Sequence, residues 1–121
     1  MALRQKVDAL NQQILNGEIL DAFEKYYHED VVMSDNNQDH RRGKDRNREH
    51  EKQFVGGIKA FHGAEIKSSA VNETGPDSGT AFTEWFMHFD HEAYGDDTKL
   101  EQVAVQEWKD GQIVRETFYH A

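Results

Sequence analysis

The chain has 121 residues, a formal net charge of −9 and no cysteine. A domain of this length can bury a core without covalent staples, and the missing thiols exclude disulfides and thiolate metal sites. The negative balance disfavours unspecific binding to nucleic-acid phosphates, and no apolar run approaches the roughly 20 residues of a membrane span.

The first residues, Met1 to Lys6, lack the apolar stretch of a signal peptide, so the expected location is the cytoplasm. Leu3, Val7, Leu10 and Ile14 then fall on one helical stripe, which Asn16-Gly17 ends. A second helix is predicted from Glu18 to about His28, burying Ile19, Phe23, Tyr26 and Tyr27. Val31 to Ser34 reads as a short strand, Asp35 to Asp39 as a turn and His40 to Arg42 as a second short strand. A third helix is predicted from Lys44 to about Val55, stopped by Gly56-Gly57. Its inward face carries Asn47, His50, Glu51 and Phe54, which is polar for a helix packed on a core. The basic run from Arg41 to Arg48 is broken by Asp45 and followed by Glu49 and Glu51, so it reads as a solvated face rather than a phosphate site.

The second half predicts an antiparallel meander over Ile58–Asn72, Thr80–His91, Leu100–Lys109 and Gln112–His120. Turn residues separate the strands at 75–79, 94–97 and 110–111. Asp110-Gly111 is a two-residue hairpin signal, which pairs Trp108 with Ile113, Val105 with Glu116 and Val103 with Phe118. Strict alternation then puts Val103, Val105, Val114, Glu116, Phe118 and His120 on the core face, and Trp108, Ile113 and Tyr119 on the outer face. Glu116 among apolar neighbours must find a partner or take up a proton.

The order helix, helix, short strand, helix, long meander resembles the nuclear-transport-factor-2-like superfamily. The residues that carry the likeness are Asn16-Gly17-Glu18, the run from Tyr26 to Met33, Gly43-Lys44-Asp45 and the run from Trp108 to Val114. The last is similar to the terminal hairpin of the SnoaL-like polyketide cyclase and ketosteroid isomerase branch. The resemblance implies one α+β domain over residues 1–121, with a cone-like curved antiparallel sheet packed on three N-terminal helices around a pocket. It also implies that two copies pair through the outer sheet face.

Ketosteroid isomerases hold a base just after the first short strand, where this chain has Asp35. Their oxyanion donors, by ungapped counting, fall on Asn11 and Val103, neither of which is the required tyrosine or acid. Such a donor is typically worth about 10²–10³ in rate, so the chain is not a ketosteroid isomerase proper.

The candidate catalytic residues are Asp35, His50 and Glu116. The ordinary readings are a turn aspartate, a half-exposed helix histidine and a cross-strand ion-pair partner. Candidate ligand contacts are Tyr27, Asn47, Phe54, Trp85, Val105, Phe118 and His120; Trp85 and Phe86 point to opposite faces, so only one of the two lines the pocket, and the sequence leaves open which. The histidines are dispersed, with no His-x-x-x-His pair on a helix, so neither metal nor cofactor is expected. The expected activity is cofactor-free proton transfer on a small hydrophobic, oxygenated compound, giving isomerisation, cyclisation or dehydration. The alternative is a ligand-binding or protein-interaction module of the same fold.

Overall fold

A computed structural model describes residues 2–121. Helix α1 (Leu3–Leu15) buries Leu3, Val7 and Leu10 completely. Gly17, at φ +84°, takes the left-handed conformation that turns the chain into α2 (Ile19–Tyr26). Strand β1 (Tyr27–Asp35) follows directly, so Tyr27 opens a strand rather than closing a helix. Its backbone is extended (φ −97°, ψ 134°), and this break swings the Tyr27 ring onto Phe23 at 4.8 Å. Asn36 and Asn37, both with positive φ, make the tight turn into β2 (Gln38–Arg42). Helix α3 (Lys44–Gly56) and strands β3 (Ile58–Gly75), β4 (Ser78–His91), β5 (Gly95–Lys109) and β6 (Gln112–His120) complete the chain.

The six strands form one sheet in the order β2-β1-β6-β5-β4-β3. It is mixed, because β1 runs parallel to β6 while every other pair is antiparallel. Chain order alone gives no sign of the parallel pair, since β1 and β6 lie at opposite ends of the sequence.

The last hairpin departs from strict alternation. Lys109 pairs with Gln112 and Trp108 with Ile113 as the turn dictates, but Glu107 then faces Arg115 and Gln106 faces Glu116. A bulge at Val114 absorbs one residue and switches the facing of one strand relative to the other. Trp108 and Ile113 are therefore core, at 3% and 0% exposure, and not outer-face residues. Val103 and Val105 move to the outer face, beside Tyr119 and Thr117. Glu116, Phe118 and His120 still point inward, now next to Gln106, Ala104 and Gln102.

Two apolar clusters result. One joins α1 and α2 to Val31, Met33, Trp108 and Ile113. The other gathers Trp85, Met87, Phe89 and Ala104 with Phe54, Leu100 and Phe118. Burying each large side chain contributes about 1.5–3 kcal/mol. The space they leave between the helices and the concave sheet is the cavity described next. No helix among the described residues is long and apolar enough to cross a membrane.

Candidate functional site

The cavity has a volume of about 430 Å³. Its walls are mainly apolar: Leu10, Ile14 and Ile19 from the helices, and Trp85, Met87 and Phe89 from β4. A small set of polar groups converges on it, the usual make-up of a small-molecule site. They form a deep group, a rim group and a pair on α3.

The deep group centres on Glu116, 2% exposed. The Tyr27 hydroxyl lies 2.5 Å from Oε1, and Gln106 Nε2 donates to Oε2 at 2.7 Å. Trp108 Nε1 donates in turn to Gln106 Oε1 at 3.0 Å. Burial pushes the Glu116 carboxyl up to about 7, against the pull of Tyr27, Gln106 and Arg41 towards the charged form. Burial, and then the adjoining Glu116 charge, hold the Tyr27 hydroxyl protonated well above the usual tyrosine value.

The rim group is Asp35, Arg41 and His120. Arg41 Nη1 donates to Asp35 Oδ2 at 3.3 Å, and His120 Nε2 lies 3.4 Å from Asp35 Oδ1. Arg41 Nε donates to Asn47 Oδ1 at 3.2 Å. The Asp35 side chain is 45% exposed, whereas that of Arg41 is only 12% exposed.

Helix α3 contributes His50 and Glu51. Burial, and secondarily the Arg41 charge, keep His50 below its ordinary value, so its ring is neutral at neutral pH. Glu51 is pushed up to about 7 by burial first and then by Glu116, with Arg41 opposing. No hydrogen bond to another described residue engages its carboxyl.

Of the residues expected from sequence, Asp35, His50, Glu116, Tyr27, Phe54, Trp85, Phe118 and His120 all line this one cavity. Asp35, His50 and Glu116 do not hydrogen-bond to one another there. Two expected contacts are displaced. Val105 faces outward because of the bulge at Val114. Asn47 is 0% exposed and does not reach the cavity. Its amide donates to the carbonyls of Arg41 and Gly43 at 3.0 and 2.8 Å and so ties α3 to the β2 strand. Phe86 is the outward partner of Trp85. Glu51 was legible on the inward face of α3 by spacing, but nothing in sequence singled it out from His50. Arg41 was hidden in a run that reads as solvated. Gln106 and Trp108 were hidden by the bulge. Among the described residues no group of three His, Cys, Asp or Glu is placed to hold a metal ion.

With fold and cavity in view, a match to the SnoaL-like domain over residues 4–116 places the chain in that family. Solved structures agree on the fold. A protein provisionally described as a SnoaL-like polyketide cyclase, from Mesorhizobium loti, superposes with a TM-score of 0.75 at 17% identity, covering 99% of this chain and 100% of its own. A provisionally described isomerase from Bacillus subtilis gives 0.75 at 18%, covering 100% and 90%. A cystatin-fold protein from Novosphingobium aromaticivorans gives 0.75 at 17%, covering 98% and 97%. A comparison with curated proteins finds no match.

Proposed function

We propose that the cavity binds a small, largely apolar ketone or related oxygenated compound and moves a proton on it, as an isomerase, cyclase or dehydratase does. The observation that carries this reading is the pair of carboxyls, Glu51 and Glu116, both raised to about 7 by burial in one apolar cavity. A general base works best with a pKa near the working pH. Glu51 is free to accept a proton, whereas each oxygen of Glu116 already meets a donor. Asp35 has both oxygens engaged at the rim, so the proposed base is Glu51, with neutral His50 beside it to relay the proton. The volume suits a bicyclic molecule.

Because the two carboxyls repel, they titrate as a pair, and the reactive form is the one holding a single proton between them. The test is hydrogen–deuterium exchange at the carbon next to the carbonyl of α-tetralone, followed by proton NMR. Protein-dependent exchange with a bell-shaped pH profile centred near neutrality is expected. Exchange no faster than in buffer would leave only a binding pocket.

The outer sheet face is the proposed contact between two copies. Phe82, Val105 and Thr117 align across β4, β5 and β6, and Val103 and Tyr119 lie alongside. Phe82 is 40% and Tyr119 46% exposed. Analytical ultracentrifugation should give a dimer for the native chain and a monomer for Val105→Lys; a native monomer would end this assignment.

A further inference from the structure

Removing a proton next to a carbonyl loads negative charge on the carbonyl oxygen, and that oxygen needs a donor. The direction of the hydrogen bonds at the deep end decides which group can supply it. An indole N–H only donates. Trp108 Nε1 therefore fixes the carbonyl of Gln106 towards itself, and the Gln106 NH₂ must face Glu116. An NH₂ group cannot accept, so Glu116 Oε2 carries no proton. When Glu116 is protonated, its hydrogen sits on Oε1 and points at the Tyr27 oxygen 2.5 Å away. The Tyr27 hydrogen is then displaced from that line. Tyr27 and Glu116 both line the cavity, which is where the freed hydroxyl can turn.

We propose that Tyr27 is the hydrogen-bond donor to the carbonyl or enolate oxygen of the ligand, and that Trp108, Gln106 and Glu116 are positioning residues that aim its hydroxyl into the cavity. The assignment rests on the proton-transfer reading for its purpose, but its test is binding. Other charged and titratable groups face this pair: Glu51 and His50 from α3, Arg41 from β2, Asp35 from β1 and His120 on β6. The variants must therefore separate Glu116 from them.

The probe is α-tetralone labelled with carbon-13 at its carbonyl, a ketone that does not titrate. Its bound chemical shift and affinity are read by NMR from about pH 5 to about pH 9, a range that spans the carboxyl pair. In the native protein the bound carbonyl signal should lie downfield at low pH. Affinity should fall about tenfold as Glu116 ionises and recaptures the Tyr27 hydrogen, the size of one hydrogen bond. Glu116→Gln keeps an N–H on Tyr27 at every pH, so tight binding should persist across the range. Tyr27→Phe should bind weakly throughout, and Glu51→Gln should still lose affinity as pH rises, with the midpoint moved to lower pH because the repelling neighbour is gone. Trp108→Phe, which keeps an aromatic ring but removes the indole N–H and so frees the Gln106 amide to turn over, should flatten the dependence. Native affinity in Tyr27→Phe, or an unchanged profile in Glu116→Gln or Trp108→Phe, overturns the donor assignment and leaves the proton-transfer reading standing. No binding of the ketone by the native protein overturns both.

Discussion

At the rim of the cavity the Asp35 carboxylate is 45% exposed and lies between Arg41 and His120. At the deep end Glu116 is 2% exposed and its hydrogen bonds come only from the neutral donors Tyr27 and Gln106. The same functional group is thus given two characters. A cation compensates the charge at the rim, whereas at the deep end burial opposes the charge and neutral donors only soften that opposition. Glu51 extends the second environment onto α3, without the donors. On the proposed reading, proton traffic belongs where the charge is disfavoured, and orientation or charge balance where it is compensated.

Four substitutions would break or sharpen this contrast. The largest effect is expected from Glu51→Gln, which should slow ketone exchange by about 10²–10⁴ while leaving binding intact. Retained exchange would return the base role to the rim or to His50.

Glu116 should next reveal itself in stability. Its carboxyl stands near 7 in the fold against an ordinary value of 4.5. The folded state therefore holds the extra proton between those values, and stability must fall as pH rises through that window. The loss is about 3 kcal/mol for a shift of this size. Glu51, raised to the same value by burial first, adds its own decline in that window. Urea unfolding from about pH 4.5 to about pH 8 should therefore show a fall of which Glu116→Gln removes the Glu116 share and leaves that of Glu51. Glu116→Gln should also lift the basic limb of the exchange profile and, by removing the neighbouring charge, move the acid limb of Glu51 to lower pH.

Asn47→Ala tests the anchor behind the rim. It removes the side-chain donor from the part-buried carbonyls of Arg41 and Gly43, the second of which still accepts from the Asn47 backbone N–H, and should cost about 1–3 kcal/mol in urea unfolding. Asp35→Asn should do least, a few-fold in exchange and under about 1 kcal/mol in stability, as expected of a half-exposed ion pair. Loss of turnover in Asp35→Asn comparable to that in Glu51→Gln would reverse the assignment of the two ends.

Much of this was legible in sequence where local chemistry decides the outcome. The stripe of α1, the Asn16-Gly17 stop and the Asp110-Gly111 turn each rest on backbone preferences acting over a few residues. The α3 face was also readable, because i, i+3, i+4 spacing is a property of any helix. What escaped was set by pairing at a distance. The bulge at Val114 has no local signature, yet it exchanged Val105 for Gln106 as the inward neighbour of Glu116. Helical spacing places Asn47 inward, but its partners are backbone carbonyls that sequence does not display. The apolar pattern shows Tyr27 as buried but carries it into α2, whereas the helix stops one residue before it.

The position of β6 has a consequence for how the molecule comes into being. It is the last strand in chain order, yet it lies between β1 and β5 in the sheet. Until it docks, β1 and β2 have no link through the sheet to the meander, and the pairing it makes with β1 spans most of the chain. Contacts of such separation form late and slowly. Glu116, Phe118 and His120 ride on that strand, so the act that joins the two halves also installs the deep carboxyl and closes the cavity wall. A nascent chain lacking β6 should therefore hold a β1–β2 hairpin and a three-stranded β3–β4–β5 meander joined through the helices but not through the sheet, and be readily cut by protease. Release of the final strand should produce protease resistance and ligand binding in the same step.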